Sequence, residues 1–145
     1  MEKIILVEEG FSLEKIKNKD KHMILYFYPK DNTPGCTIEA KDFSCLLNEF
    51  SSLWCCVVWV SKDSEKSHNN FVEKQELKIT LLSDPELILH TKFNVIGEKK
   101  NYGKVYQWVI RSTFLLDKDL NIIKEWRNVK AKNHAQKVLD YVKSL

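Results

Sequence analysis

The sequence predicts an α/β domain with a mixed central sheet and helices on both faces. Three observations carry this. Short apolar runs at residues 23–28, 55–60 and 80–82 have the length of strands buried on both faces. Amphipathic helical patterns alternate with them along the chain. Near the C-terminus, two further strand patterns close on a tight turn and are followed by a helix. At 145 residues, the chain has enough material for one core that removes roughly 68–70 per cent of the unfolded surface from water, so residues 1–145 are expected to form a single domain.

In chain order, residues 4–7 form a short apolar strand ending at Glu8-Glu9-Gly10, and a helical turn is expected over 11–16. The 23–28 strand is stopped by Pro29. Over 34–54, Phe43, Leu46, Leu47, Phe50, Leu53 and Trp54 recur at three- and four-residue spacing, predicting a long amphipathic helix. A strand at 55–60 and a helix at 64–78 follow, and the 80–82 strand is cut by Ser83-Asp84-Pro85. A short helix is expected over 85–93. Residues 105–110 alternate, 113–116 continue as strand, and Lys118-Asp119 turns the chain into 121–127 as a hairpin. A last helix spans 133–145, with Asn133 as its cap and Gln136 three residues on.

Composition excludes several classes. Hydrophobic residues make up 43% and charged residues 30%, with only four Gly and three Pro, which is not a disordered chain. No apolar run approaches the ~18 residues needed to cross a bilayer, so no membrane partner is expected. The N-terminus lacks the apolar core and cleavage site of a secretory signal, which predicts a cytoplasmic protein. Lys and Arg number 23 against 20 Asp and Glu, and the signs are interleaved, so nucleic acid is not an expected partner either. The cysteines at 36, 45, 55 and 56 form no C-x-x-C and should be thiols at rest. His22, His68, His90 and His134 stand singly, and no metal site is expected.

Chemistry concentrates in one loop. Two of the three prolines and one of the four glycines fall within Pro29-Lys30-Asp31-Asn32-Thr33-Pro34-Gly35. Thr33 is a good N-cap and Pro34 a good first helical residue, which puts Cys36 at the third helical position. There the unpaired amides and the macrodipole favour a thiolate. Gly35 allows another molecule to approach the backbone closely. Cys36, Ala40, Phe43, Leu47, Phe50 and Trp54 follow steps of four and three, so Cys36 opens the inward stripe and its sulfur is expected in a recess. A buried, inert cysteine is the alternative; the Pro and Gly flanks favour a reactive one.

The string Tyr26-Phe27-Tyr28-Pro29-Lys30-Asp31-Asn32-Thr33-Pro34-Gly35-Cys36-Thr37 resembles the active-site signature of peroxiredoxins, in the branch of the bacterioferritin comigratory protein (PrxQ). Arg111-Ser112-Thr113-Phe114-Leu115-Leu116 resembles that branch's arginine-bearing strand, and the likeness extends over roughly residues 22–143. The resemblance implies a thioredoxin-like fold, reduction of hydrogen peroxide and organic hydroperoxides, no bound cofactor, and recycling by thioredoxin or another thiol. It implies that Cys36 is the peroxidatic cysteine, that Thr33 offers its hydroxyl, that Pro29 shields the sulfur and that Arg111 polarises the peroxide. Gly35 and Glu39 are possible supporting residues. A first-turn acid complementing the dipole would look the same as Glu39.

The sequence departs from the branch at the resolving cysteine. The usual position, five residues after Cys36, is Lys41, and residues 64–78 hold no cysteine. Cys45 is the remaining candidate resolver, but nine helical residues place it on the opposite side and about 13 Å along the axis, beyond the reach of a disulfide unless the helix unwinds. Cys55 and Cys56 suit packing on opposite faces of a strand. The expectation is therefore an external thiol. The alternative function is a redox sensor or interaction module that passes oxidation from Cys36 to a partner, and nothing in the sequence demands more than a monomer. The G-x-x-A-P-D-F segment usual near the N-terminus of the family is absent.

Overall fold

The computed structural model describes residues 3–13, 16, 22–31, 34–77, 79–130 and 133–145. Thr33, expected to cap the long helix, lies outside them, as do parts of the expected turn over 11–16. Six strands form one mixed sheet: β1 (Lys3–Leu6), β4 (Thr80–Ser83), β3 (Cys55–Ser61), β2 (His22–Phe27), β7 (Ser112–Leu116) and β8 (Ile122–Arg127), side by side in that order. β1, β4, β3 and β2 run parallel, and β7 and β8 run antiparallel to their neighbours. The α/β class and mixed sheet expected from the sequence are those observed.

Alternation along the central strands builds two cores. On one face, Ile24, Tyr26, Cys55, Val57 and Trp59 meet Cys36, Ala40, Phe43 and Phe50 of helix α1 (Pro34–Ser52). Phe71 of α2 (Glu65–Gln75) and Ala135, Val138 and Leu139 of α4 (His134–Lys143) complete this layer. The other face packs Met23, Leu25, Phe27 and Val58 against Leu89 of α3 (Ile88–Lys92), Phe93 and Leu13. Cys55 and Cys56 divide between the two faces, as their adjacency in a strand requires. Tyr26 stacks on Trp59 at 4.5 Å between ring centroids, which makes a rigid floor beneath α1.

The structure corrects four expectations. β5 (Ile96–Asn101) pairs with β6 (Lys104–Val109) in a separate two-stranded ribbon, whereas the sequence suggested only the second of these strands. Trp54 is not on the inward stripe: α1 ends at Ser52, Trp54 takes a φ of 58°, and its ring is 56% exposed. Asn133 does precede the last helix, but its φ of 62° is left-handed and its side chain makes no capping hydrogen bond. α3 is shorter than 85–93, because the Asp84 carboxylate takes the amides of Ile88, Leu89 and His90 and starts the helix there.

A belt of hydrogen bonds ties together the carboxyl ends of the parallel strands. The Asp31 amide and the Ser61 hydroxyl both donate to Asp63 Oδ2, at 2.7 and 2.9 Å. Ser83 Oγ donates to the Asp63 carbonyl at 2.6 Å, and the Val7 amide to the Ser83 carbonyl at 2.8 Å. His68, buried on α2, spans the middle: Nε2 lies 3.0 Å from the Leu82 carbonyl oxygen and Nδ1 2.7 Å from Asp31 Oδ2. The two ring nitrogens thus join the Asp31 side chain to the Leu82 backbone across the sheet end. Asp31 also accepts from the Tyr28 hydroxyl and from Ser67 Oγ. The loop leaving β2 is thus held in place from several sides.

Candidate active site

Cys36 sits at the third position of α1, as expected, and its side chain is fully buried. It opens the stripe continued by Ala40, Phe43 and Phe50, so the packing that fixes α1 on the sheet also fixes the sulfur. Arg111 reaches the same point from the other end of the sequence. It lies between β6 and β7, its carbonyl accepts from the Val129 amide at 2.9 Å, and its Nη2 is 3.2 Å from Cys36 Sγ. A guanidinium there can stabilise negative charge on sulfur and on an oxygen that departs beside it.

Gly35 makes this approach possible. A Cβ at that position would lie 2.9 Å from Arg111 Nη1 and 3.2 Å from Nη2. The group that needs the missing side chain is therefore the protein's own arginine. Pro29 is half-buried where the chain leaves β2, between Tyr28 and the clamped Asp31. Cys45 is exposed further along α1, on the side opposite the buried stripe, and stays apart from this cluster. Lys41 is also exposed. Among the described residues, no cluster of three or more His, Cys, Asp or Glu is placed to hold a metal ion, and no helix is long and apolar enough to cross a membrane.

Glu39 lies deeper than a dipole partner would. Because α1 begins at Pro34, Glu39 falls in the second turn, and its side chain is fully buried. Among the described residues, neither carboxylate oxygen has a hydrogen-bond partner. Burial pushes its carboxyl up to about 8, against the opposing pull of Arg111 and with a smaller push from Asp42.

Two further residues were not singled out from the sequence. The Tyr26 hydroxyl is buried without a hydrogen-bond partner, and burial holds it far above the ordinary phenol range, with the Glu39 and Cys36 charges adding to the effect and Arg111 opposing it. Tyr26 was legible as part of an apolar run and as the first residue of the family string, with no role of its own; period two along β2 does place it on the face that α1 covers. His134, at the start of α4, sets Nε2 2.7 Å from Thr113 Oγ1, with its ring edge-on to Tyr26 at 5.8 Å and to Trp126 at 6.1 Å. Burial lowers it to about 4, helped by the charges of Lys137 and Arg111, so the imidazole is neutral at physiological pH. The family likeness runs through His134-Ala135 at the entry to the last helix but gives the histidine no role, because its neighbours come from β2, β7 and β8.

A thiol at a helix start, faced by an arginine across a mixed sheet, is the arrangement of the thioredoxin-like thiol peroxidases. Residues 6–125 match the AhpC/TSA family model, and the chain belongs to that family, in its peroxiredoxin Bcp (PrxQ) branch. It is 44% identical over 138 residues to peroxiredoxin Bcp of Bacillus subtilis, covering 95% of this chain and 88% of that protein. With peroxiredoxin Bcp of Xanthomonas campestris it shares 46% identity over 122 residues, 84% of this chain and 76% of the relative. Among solved structures, the X. campestris bacterioferritin comigratory protein, studied for alkyl peroxide reduction in trapped intermediate and ligand complexes, matches with a TM-score of 0.84 at 42% identity, covering 90% of this chain and 82% of that one. Peroxidoxin BcpB of Mycobacterium tuberculosis matches with a TM-score of 0.78 at 30% identity, over 90% and 83% of the two chains. The thioredoxin-like fold is thereby established for this chain.

Proposed function

We propose that this thiol-dependent peroxidase works through Cys36, acting as a single domain on hydrogen peroxide and alkyl hydroperoxides. The observation that supports this above all is the approach of Arg111 Nη2 to within 3.2 Å of a fully buried Cys36 sulfur in the first turn of α1. The Cys36 thiolate attacks the hydroxyl oxygen of the peroxide, forming the S–O bond as the O–O bond breaks. Sulfur is oxidised to sulfenic acid, and the other oxygen leaves with the electron pair. Arg111 and the first-turn amides meet that developing charge. Thr33 adds its hydroxyl and Pro29 keeps water from the sulfur, as the family signature implies.

Recycling is assigned to an external thiol, such as thioredoxin. Lys41 occupies the branch's usual resolver position, Cys45 is exposed on the opposite side of α1, and α2 carries no cysteine. An external thiol attacks the sulfenic sulfur, releasing water and forming a mixed disulfide, and a second thiol returns Cys36 to its reduced form. Mass spectrometry after one equivalent of peroxide, with no thiol added, is expected to find sulfenic acid at Cys36. A quantitative Cys36–Cys45 disulfide would overturn the one-cysteine cycle. For the peroxidatic assignment itself, Cys36→Ser is expected to abolish single-turnover peroxide reduction and Cys45→Ser to leave it intact; peroxide reduction undiminished in Cys36→Ser would refute it. Many peroxides consumed per chain with a thiol supplied marks an enzyme, whereas a sensor stops near one.

A further inference from the structure

Glu39 presents a chemical problem that the mechanism above leaves unsolved. Its side chain is sealed from water one helical turn beyond Cys36, and among the described residues neither of its oxygens has a hydrogen-bond partner. A buried carboxylate without donors is among the more costly arrangements a protein can hold, while a neutral carboxyl is tolerated far better. Residues three apart on a helix have side chains that are neighbours, with Cβ atoms about 5–6 Å apart, and the Arg111 guanidinium that touches Cys36 Sγ also acts on the Glu39 carboxyl. The charged and titratable groups acting on this pocket come from every element around it: Cys36 and Asp42 from α1, Tyr26 from β2, Arg111 ahead of β7, and His134 with Lys137 behind it from α4. Of these, Arg111 is permanently charged and His134 is neutral near pH 7.

The reaction itself needs a proton in this place. A departing alkoxide is a strong base, and the thiol that starts the next cycle must lose a proton. Resting on the peroxidase reading, we propose that Glu39 is the proton carrier of the site: its carboxyl protonates the departing oxygen, and its carboxylate accepts the proton of the Cys36 thiol when the site is reset. The balance closes. Cys36 thiol and Glu39 carboxylate exchange a proton to give thiolate and carboxylic acid. The thiolate takes the peroxide's OH to form sulfenic acid, releasing alkoxide, and alkoxide plus Glu39 carboxylic acid gives alcohol and carboxylate. The two external thiols that regenerate Cys36 thiol restore the starting state, with one water formed.

Burial holds the Glu39 carboxyl at about 8, so near neutral pH it can both give up and take a proton. A group whose titration lies near the operating pH is the most effective general acid and base. Arg111, which touches the Cys36 sulfur, opposes the effect of burial on Glu39 and so keeps its carboxylate accessible.

The test is stopped-flow measurement of single-turnover oxidation, without reductant, for the wild type, Glu39→Gln and Glu39→Asp. The peroxide series runs from tert-butyl hydroperoxide, whose leaving alkoxide is strongly basic, to peracetic acid, whose leaving acetate is weakly basic. Glu39→Gln is expected to lose about a hundredfold with the alkyl hydroperoxide and little with the peracid. Glu39→Asp, which keeps the acid, is expected to recover part of the loss. The wild-type rate with the alkyl hydroperoxide should fall as pH rises through about 8, where Glu39 loses its proton, and Glu39→Gln should lack that fall. Equal losses across the peroxide series would show a packing role and overturn the proposal, as would an unchanged Glu39→Gln or an Asp variant no better than Gln. A wild type that fails to oxidise at all would instead sink the peroxidase reading on which the proposal stands.

Discussion

Arg111 Nη2 stands 3.2 Å from Cys36 Sγ although the two residues are 75 positions apart. That contact depends on a third residue, since Gly35 leaves the space in which the guanidinium lies. The placement of the arginine is therefore a property of three residues from two segments.

Removing the guanidinium in Arg111→Ala is expected to slow single-turnover peroxide reduction about a hundredfold or more, by comparison with the loss of one oxyanion donor. Gly35→Ala should act in the same direction with the fold intact, because the new methyl meets the mobile end of Arg111, 2.9 Å away. Placed together, the two substitutions should cost no more than Arg111→Ala alone. Rates of the single and double variants check this; additive losses would show that Gly35 serves some other purpose.

The buried pair of His68 and Asp31 predicts a stability effect away from the sulfur. Replacing one partner, as in His68→Leu, leaves the Asp31 carboxylate buried with part of its support gone and should cost about 3–5 kcal/mol. Chemical denaturation measures it. Hydrogen exchange should show faster opening of the loop after β2, and a loss confined to α2 would contradict the clamp.

His134 predicts a loss of stability in acid. Its folded-state value of about 4 lies below the 6.5 of the free side chain, so the unfolded chain binds the proton first as pH falls. The stabilisation is complete above about pH 6.5, declines between there and about 4, and amounts to roughly 3 kcal/mol across the window. His134→Gln should flatten that part of the pH–stability curve as followed by urea denaturation. An unchanged slope would remove His134 as its source.

Glu39 works in the opposite sense. Its value is raised from 4.5 to about 8, so the unfolded chain releases the proton first as pH rises, and folded-state stability is lost through that interval. Glu39→Gln should therefore be more stable than the wild type above pH 8, by a few kcal/mol, and nearly equal to it near pH 4. Thermal unfolding at the two pH values decides the matter.

The parts legible in the sequence were those that local pattern determines. Apolar runs marked β2 and β3, and steps of four and three from Cys36 to Phe50 marked the buried side of α1, where Cys36, Ala40, Phe43 and Phe50 are found. β5 was not legible because Ile96-Gly97-Glu98-Lys99-Lys100-Asn101 is poor in strand-forming residues and exists as a strand only through its pairing with β6. A signal was present: Tyr102 and Gly103 both take positive φ, 52° and 76°, as the two-residue type I′ hairpin requires. Glu39 could be placed near Cys36 by spacing, but its burial depends on Tyr26 and Arg111, which the linear sequence sets far away. Asp31 and His68 meet across 37 residues, and neither spacing nor composition announces such a pair.

The belt through Asp31, Asp63, His68 and Ser83 lies at one end of the sheet, where β2 delivers the chain to the loop ahead of Cys36. Chain entropy there is surrendered during folding, at synthesis, instead of each time a substrate arrives. A peroxide offers very few atoms with which to offset the ordering of a loose loop. A protein that must capture so small a molecule gains from meeting it with a frame already set.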